Sequence, residues 1–296
     1  PLHYAVQRGC DDAVAALLDL GADVEQRDKY GLTPLHTAAL SGRLEAARKL
    51  IARGADVATQ FEQYSPIHTA AMNGFQAIVA LLLDSGVPLD DRSAYGCTAL
   101  HIAAENGHVE LVRMLLSRGS DHTVRERRGA TPLHLASVQD RDEVITFLLD
   151  TGADSNVGDD SGTTPLHDAC RNNSCRAARV LLDGGAEIDA RDISQLTPVL
   201  HAVLMGHQEA VELLLIRGAD TAGHGGPSVL HSAAWAGHVG MTRLIISHGV
   251  SVHSRDEVAS TPLHSAALKG QEDIITLLLD MSADLESRDV DGCTAL

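Results

Sequence analysis

Apolar and polar positions recur along this chain with a period of about 33 residues. Each period opens with Thr or Ser followed by a short apolar segment, as in TPLHTAAL from Thr33 to Leu40. A longer segment with apolar residues at helical spacing follows, as in ELVRMLL from Glu110 to Leu116. The pattern therefore predicts a pair of α-helices in every period.

The ends of both helices carry capping signals. Thr or Ser is a preferred N-cap, and Pro at the next position suits the first turn of a helix. Each opening segment carries a motif such as TPLH, and the residue six positions after its His is usually Gly. At two places it is Asp140 or Asn173, which also tolerate the left-handed conformation that ends a helix. A second Gly ends the longer helix in every period except the one with Ser282. The connecting loops often carry Asp-x-x-Gly, which predicts a tight turn.

One such helix pair cannot bury its apolar face alone, so neighbouring pairs must stack into a continuous core. The motif begins near residues 1, 33, 65, 98, 131, 164, 197, 228 and 261. We therefore predict a single domain over residues 1–296, with the chain cut inside a motif at both ends. The Gly-rich loop at 218–228 is two residues short, and we expect a softer joint there.

The repeated G-x-TPLH-x-AA, the paired Leu residues and the closing GAD resemble the ankyrin repeat family. The resemblance covers all nine periods. It implies an all-α fold, an α-solenoid of nine stacked ankyrin repeats, each a helix–turn–helix with a β-hairpin finger. It also implies a curved array with a concave groove, where partners of the family usually bind.

The overall charge narrows the class of partner. The formal net charge is −17, which disfavours a nucleic-acid surface and favours a protein partner with a basic face. No apolar run reaches the roughly 18 residues of a membrane span, so we expect no direct membrane insertion. We expect a monomeric array within a longer chain.

The cysteines indicate the compartment. The chain has five Cys without a CxxC pair, which favours a reducing, intracellular location in the cytoplasm, with the nucleus as the alternative.

One stretch resembles a catalytic site. Residues 162–175 read GTTPLHDACRNNSC and bring together a His, an Asp and two Cys. The repeat explains most of them, because Cys170 occupies a position that holds Ala in several other periods. No nucleotide-binding, metalloprotease or hydrolase motif occurs. We predict no catalytic residue, no cofactor and no enzyme activity within this chain.

The motif histidines recur once per repeat, about 10 Å apart if the helices stack side by side. A zinc ion needs ligands about 2 Å away, so they cannot share a metal. The family resemblance implies that each bonds its own turn and the next finger. The predicted structural set is His36, His68, His101, His134, His167, His231 and His264. His201 lies off the pattern, and we expect it either to be solvated or to contact a partner.

Function should lie in the positions that the repeat does not fix. We predict two contact patches, an aromatic one on the fingers of the first third and one made of Trp235, Leu204 and Met205 in the last third. The alternative is that these apolar groups pack against neighbouring repeats. The candidate partner-binding residues are Tyr30, Leu40, Phe61, Tyr64, Met72, Tyr95, Arg127, Arg128, Asp168, Arg171, Asn172, Leu204, Met205, Trp235 and Leu268.

Two smaller features lie outside the predicted helices. An Arg recurs in six of the nine loops, as at Arg92, Arg125 and Arg255, and this periodicity predicts a ladder joining adjacent fingers. Asn156 is the one Asn that follows GAD by one residue, and the resemblance implies a substrate of asparagine hydroxylases.

The leading interpretation is a non-catalytic protein–protein interaction scaffold that binds its partner through the groove and hairpin tips. One alternative is a substrate-recognition or regulatory arm of a larger multidomain enzyme or signalling sensor. Another is a mechanical adaptor with many more repeats. A small-molecule site has little support, since an open groove seldom encloses a ligand.

Overall fold

The computed structural model describes residues 1–223 and 228–295, which contain eighteen α-helices arranged as successive pairs. The helices are α1 Leu2–Arg8, α2 Asp11–Asp19, α3 Pro34–Ser41, α4 Leu44–Ala52, α5 Pro66–Met72, α6 Gln76–Asp84, α7 Ala99–Asn106, α8 Val109–Ser117, α9 Pro132–Val138, α10 Asp142–Asp150, α11 Pro165–Arg171, α12 Cys175–Asp183, α13 Pro198–Met205, α14 Gln208–Ile216, α15 Val229–Ala236, α16 Val239–Ser247, α17 Pro262–Lys269 and α18 Glu272–Asp280. The predicted all-α solenoid is confirmed.

The helices group into two compact units, Pro1–Ala136 with Glu143–Ala153 and Ser137–Asp142 with Asp154–Leu296. In each unit the first helices of successive pairs pack side by side, and the second helices form another layer against them. The prediction of one repeat domain over residues 1–296 stays a prediction. The predicted joint at 218–228 includes residues 224–227, which lie outside the described residues.

Small side chains let the two helix layers approach closely. Ala38 and Ala39 on α3 and Ala47 on α4 are fully buried, and Leu50 fills the space beside them. A Cβ-only side chain at the inner positions lets neighbouring backbones pack together, while Leu supplies most of the apolar area. The resulting core repeats from pair to pair rather than collecting around one centre.

Left-handed residues end the helices as the sequence predicts. Gly42 follows α3 with φ 68°, and Asp140 and Asn173 adopt φ 55° and 56° at the same place in their repeats. Ser282 has φ 67° where eight other repeats have Gly. The non-Gly residues hold the same turn, although that backbone region is strained for residues with a Cβ.

The fingers are closed by turns, and within the described residues they contain no strand. The backbone N–H of Asp28 donates to the carbonyl of Leu32 at 2.9 Å. The side chain of Asp28 then accepts from the N–H groups of Tyr30 and Leu32 at 2.8 and 3.0 Å. The carboxylate of an Asp in this position therefore accepts from backbone N–H groups of its own turn. Several other fingers have the same arrangement.

Arginines tie neighbouring fingers together. The Arg92 guanidinium donates to the carbonyl of Arg125 at 2.8 Å, and Arg255 donates to the carbonyl of Arg288 at 2.7 Å. Arg27 instead bonds within its own finger. The predicted ladder thus joins adjacent fingers at these two places.

Candidate functional site

The motif histidines bond their own helix start and the next finger. At His101 the backbone N–H of Thr98 donates to Nδ1, so Nε2 carries the proton and donates to the carbonyl of Ala130 at 3.2 Å. Nδ1 also lies 2.7–3.0 Å from the hydroxyl of the capping Thr or Ser in all seven members of the predicted set. At His36 the finger ahead is one residue shorter, and Nε2 has no partner within the described residues.

Burial keeps several of these imidazoles neutral. Loss of hydration lowers the pKa of His36, His101 and His167 to about 4 in each case, although hydrogen bonds partly oppose it. Where both ring nitrogens are committed to the protein, neither can ligate a metal. Within residues 1–223 and 228–295, no three His, Cys, Asp or Glu side chains are placed to share an ion.

The expectation for His201 is wrong. The residue is 4% exposed, and Nε2 donates to the Asp192 carboxylate at 2.8 Å. Its ring also meets the ring of His167 edge-on at 5.4 Å between centroids. Burial alone raises the pKa of Asp192, but hydrogen bonds from His201 and two backbone N–H groups outweigh it and hold that pKa below its usual range. His201 is therefore neither solvated nor open to a partner.

The catalytic-looking stretch 162–175 has no activated nucleophile. Cys170 is fully buried, and loss of hydration raises the pKa of its thiol. Burial likewise raises the pKa of Cys175 to about 11. Nδ1 of His167 is held at 2.9 Å by the hydroxyl of Thr164. Neither thiol forms the thiolate that nucleophilic chemistry needs at neutral pH.

The three remaining candidates of that stretch differ in exposure. Arg171 and Asn172 are exposed, whereas Asp168 is half-buried. Burial, and then the charge of Asp159, raises the pKa of Asp168 to about 7, while Arg171 opposes the shift. Asn172 bonds back to the carbonyl of Asp168 at 2.8 Å. Their role in partner binding stays a prediction.

The aromatic residues of the first fingers are divided between packing and exposure. Phe61 and Tyr64 form an isolated β-bridge. The Phe61 ring lies over Gly31, where a Cβ would come within 2.9 Å of it. Tyr64 packs against Tyr95 at 6.2 Å between ring centroids. Tyr30 and Tyr95 remain 65% and 44% exposed. Packing against a neighbour thus accounts for Phe61, while the two exposed Tyr rings remain candidates.

The other candidates of the first unit are exposed side chains. Leu40 and Met72 are exposed apolar groups on α3 and α5. Arg127 and Arg128 are exposed at a finger tip, beside Tyr95, whose carbonyl accepts from the N–H of Arg127 at 3.0 Å. These residues supply contact chemistry but no enclosed site.

A pocket of about 470 Å³ lies in the second unit and is called here the Trp235 pocket. Its helical side is formed by α13, α15 and α17, and its other side by two fingers. Its apolar walls are Leu196, Leu204, Trp235, Val258 and Leu268. Three predicted candidates, on three successive first helices, therefore meet at one site.

Two side chains modify the rim of this pocket. The amino group of Lys269 lies 4.0 Å from the centroid of the Trp235 ring, a cation–π contact. Met205 is 50% exposed but lies outside the pocket lining. Leu268 therefore lines the pocket together with Trp235 and Leu204, whereas Met205 of the predicted patch lies outside the lining.

The floor of the pocket carries unpaired hydroxyl groups. Ser232 and Ser265 occupy equivalent positions on α15 and α17, and neither hydroxyl is hydrogen-bonded within the described part of the chain. At the same position of α3 and α5, Thr37 and Thr69 bond back to their own helix. The pocket therefore offers two polar groups that the fold leaves unused.

Asp256 is the charged side chain in the described lining. One carboxylate oxygen accepts from the N–H groups of Val258 and Ser260 at 3.1 and 2.8 Å. The second oxygen has no hydrogen bond to any described residue. The two histidines of the lining are committed, since Nε2 of His231 and of His264 donate to backbone carbonyls at 2.8 and 3.2 Å. Asp256 thus gives the pocket a negative charge.

Sequence reasoning missed the finger and floor residues of this pocket. Val258 stands two residues after the finger Asp, the position that Tyr30 and Tyr95 hold in other repeats, and this signal was available. That Asp256 and Ser265 line the same pocket depends on how the finger folds onto α17, which the sequence alone does not show. None of the helices in the described ranges has the length and apolar character of a membrane span.

Comparison with known proteins places the chain in a family. The family model for ankyrin repeats (3 copies) matches residues 1–61, 58–126, 119–192, 156–223 and 200–289. The solved ankyrin repeat domain of Bcl-3, a member of the IkappaB protein family, superposes with a TM-score of 0.60 at 30% identity, covering 66% of this chain and 91% of that one.

Curated relatives match over about a third of the chain. A transient receptor potential cation channel subfamily A member 1 homolog of Caenorhabditis elegans is 40% identical over 98 residues, 33% of this chain and 8% of that protein. The B-cell lymphoma 3 protein homolog of Mus musculus is 35% identical over 101 residues, 33% of this chain and 22% of that protein. The chain thus spans less than a quarter of either relative. On the match to the family model, which extends over nearly its whole length, this chain belongs to the ankyrin repeat family.

Proposed function

We propose that this chain is a protein-recognition array that binds an extended or helical segment of a partner protein in the Trp235 pocket. Ankyrin repeats are in general protein–protein interaction modules. The observation that carries the proposal is the pocket itself, whose volume of about 470 Å³ lies within the roughly 300–1,000 Å³ of ligand pockets.

The wall residues support a peptide rather than an enclosed small molecule. Trp235 and Leu268 are 43% and 75% exposed, so solvent reaches a broad face of the pocket. A side chain that protrudes from a partner surface covers such a face and removes it from water, and Trp is enriched among binding hot spots. Binding here buries apolar area that the repeat scaffold itself does not need.

The test begins with a random peptide library displayed on phage and selected on the immobilised chain. We expect Trp235→Ala to weaken a selected peptide by about 30-fold or more, because hot-spot truncations cost about 2–4 kcal/mol. Trp235 is the one Trp of the sequence, so its fluorescence reports occupancy directly. The affinity is measured by fluorescence anisotropy, with circular dichroism to show that the variant folds.

Ile216→Ala is the matched control. Ile216 is 68% exposed at the end of α14 and lies outside the pocket, so its loss should leave affinity unchanged. Equal peptide affinities for the wild type and Trp235→Ala would contradict the proposal.

A second candidate is that the array serves as the recognition or regulatory arm of a longer protein. The lengths of the relatives support it, since the matched segment covers 8% of the channel homolog and 22% of the B-cell lymphoma 3 homolog. The full coding sequence tests it. A catalytic or channel domain outside residues 1–296 supports this candidate, and a full-length protein made of repeats alone contradicts it.

An intracellular location and a monomeric state are part of the proposal. All five cysteines are free thiols, which suits a reducing compartment. Microscopy of the tagged full-length protein tests the location. Light scattering of the purified chain tests the monomeric state, and a dimer mass would contradict it.

A further inference from the structure

The finger Asp of one repeat meets the first helix of the same repeat. In the pair Asp192 and His201, the second carboxylate oxygen of the Asp accepts from an imidazole nine residues later in the chain. Asp256 and Ser265 stand at the same two positions two repeats further on. Ser is too short to take the place of the imidazole, and both residues line the Trp235 pocket.

The positions of Asp256 and Ser265 are therefore equivalent to those of the buried Asp192–His201 pair, but they line an open pocket. Where His201 fills the space next to Asp192, the shorter Ser265 leaves the space next to Asp256 as part of the pocket. The second carboxylate oxygen of Asp256 accepts no hydrogen bond from any described residue. The hydroxyls of Ser232 and Ser265 line the same volume and likewise have no hydrogen-bond partner among the described residues. An occupant with several N–H donors satisfies all three at once.

We infer that the Trp235 pocket takes an arginine or lysine side chain of the partner segment, with its cationic group on Asp256 and an adjacent apolar residue on the Trp235 ring. The inference rests on the proposed function and specifies the chemistry of the partner. Arg is expected to bind more tightly than Lys, because its five N–H donors match three acceptors.

Charge complementarity favours a basic occupant over an acidic one. Hydrogen bonds commit His231 and His264 to the scaffold, so neither balances the carboxylate. Glu257 is exposed next to Asp256, and the whole chain carries a formal net charge of −17. Of the nearby cations, Lys269 lies against the Trp235 ring, and the Arg255 guanidinium donates to the carbonyls of Ala259 and Arg288.

The apolar walls suit the stem of such a side chain. Long basic residues bury their methylene groups while the head keeps polar partners. Val258 and Leu268 flank the pocket and are exposed to receive those methylenes. An acidic occupant would place two carboxylates together in a partly apolar space, which is unfavourable.

The first experiment examines the peptide. Peptides selected on the immobilised chain should carry Arg or Lys beside Leu, Phe or Trp. Replacement of that Arg by citrulline keeps the shape and removes the charge, and it should weaken binding about 10-fold or more. Affinity should also fall as salt is raised. A library that yields no binder, or binders without a basic residue, would overturn the inference.

The second experiment examines the protein. Asp256→Asn should weaken the Arg peptide about 10-fold, while Asp289→Asn, the same finger position outside the pocket, should not change it. Ser265→His should rebuild the Asp192–His201 arrangement and close the pocket from within, and Ser265→Ala should change affinity less than about threefold. Circular dichroism shows that each variant folds.

The two proposals fail differently. If Trp235→Ala abolishes binding but Asp256→Asn, Ser265→His and the citrulline peptide leave it unchanged, the basic side chain is refuted and the recognition site stands. If Trp235→Ala has no effect, both are refuted.

Discussion

The imidazole of His201 donates to the carboxylate of Asp192 at 2.8 Å, and both side chains are buried. The pair arises because Leu200 holds the motif position and the histidine stands one residue later. A ring that in other repeats reaches the next finger here reaches its own finger instead. This substitution changes a link between repeats into a link within one repeat.

Replacing His201 by Ser, the residue found at this position in the next two repeats, should destabilise the chain by about 1.5–3 kcal/mol, because it leaves a buried carboxylate without its partner. Urea denaturation at pH 7.5 measures the loss. The pKa of Asp192 lies below its usual range, so this stabilisation is present above about pH 4 and disappears as the pH falls further. A difference under about 0.5 kcal/mol at pH 7.5 would show that the pair is not stabilising.

Acidification should destabilise the fold before the carboxylates are protonated. His36, His101 and His167 have a pKa of about 4 when folded, against about 6.5 when unfolded, so their contribution is present above pH 6.5 and falls toward pH 4. At pH 5 each should cost about 1–2 kcal/mol. The raised pKa of Asp168 acts in the opposite direction, but it is one group against three.

His101→Leu provides the control for this pH dependence, since Leu200 shows that Leu is accepted at the motif position. The variant should be less stable at pH 7.5 but lose less stability between pH 7.5 and pH 5. Equal pH dependence in the wild type and His101→Leu would mean that His101 is not the group that titrates.

Asn156 ties its turn to the next repeat. Its side-chain oxygen accepts from the N–H of Glu187 at 2.7 Å, and its amide donates to the carbonyl of Gly185 at 3.3 Å. Asn156→Ala should cost about 1–2 kcal/mol, and Asn156→Asp less, because Asp189 one repeat later accepts the equivalent N–H, that of Asp220 in the repeat after it, at 2.8 Å. Thermal unfolding ranks the wild type and the two variants. A higher unfolding temperature for Asn156→Ala than for Asn156→Asp would contradict this prediction.

Hydroxylation of Asn156 stays a prediction. Mass spectrometry of the protein from its native cells should show a mass increase of one oxygen atom on the peptide that contains it. A residue that is always unmodified would contradict the prediction.

Ser282→Gly should stabilise the chain by about 1 kcal/mol. Ser282 holds φ 67°, a region where Gly is at no disadvantage and a residue with a Cβ is strained. Asp140→Gly is the instructive contrast, because Asp140 accepts from Ala177 N–H at 2.8 Å and pairs with Arg176 at 2.9 Å. That change should be neutral or destabilising. Denaturant midpoints distinguish the two, and a loss of stability in Ser282→Gly would contradict the strain argument.

Helix positions could be predicted from sequence because each end has a local cause. Thr98 caps a helix through its own hydroxyl, and Gly42 or Asn173 ends one through its own backbone angle, so neither depends on distant residues. The repetition then predicted that neighbouring helix pairs stack, since each pair lies beside a similar pair. The family resemblance added the link from each motif His to the next finger.

The candidate site was harder to predict because it depends on differences between copies. Trp235 and Leu204 stood out as large apolar groups at unfixed positions. The role of Asp256 did not, because Asp is ordinary at this finger position and only the structure shows that its second oxygen has no partner among the described residues. His201 was misjudged for the same reason, since the partner that buries it is nine residues away.

Leu200 has a further consequence, because a hydrocarbon side chain cannot donate the hydrogen bond that a motif histidine makes to a backbone carbonyl. The hydrogen bond that other motif residues donate through an imidazole is therefore missing at Leu200, and we expect the amide hydrogens of α13 to exchange faster than those of first helices that carry the motif histidine. The Trp235 pocket is lined by α13, which carries Leu200, and by α15 and α17 of the next two repeats. A partner segment bound there as proposed would contact α13, α15 and α17 together, so we expect binding also to slow amide exchange in these three helices.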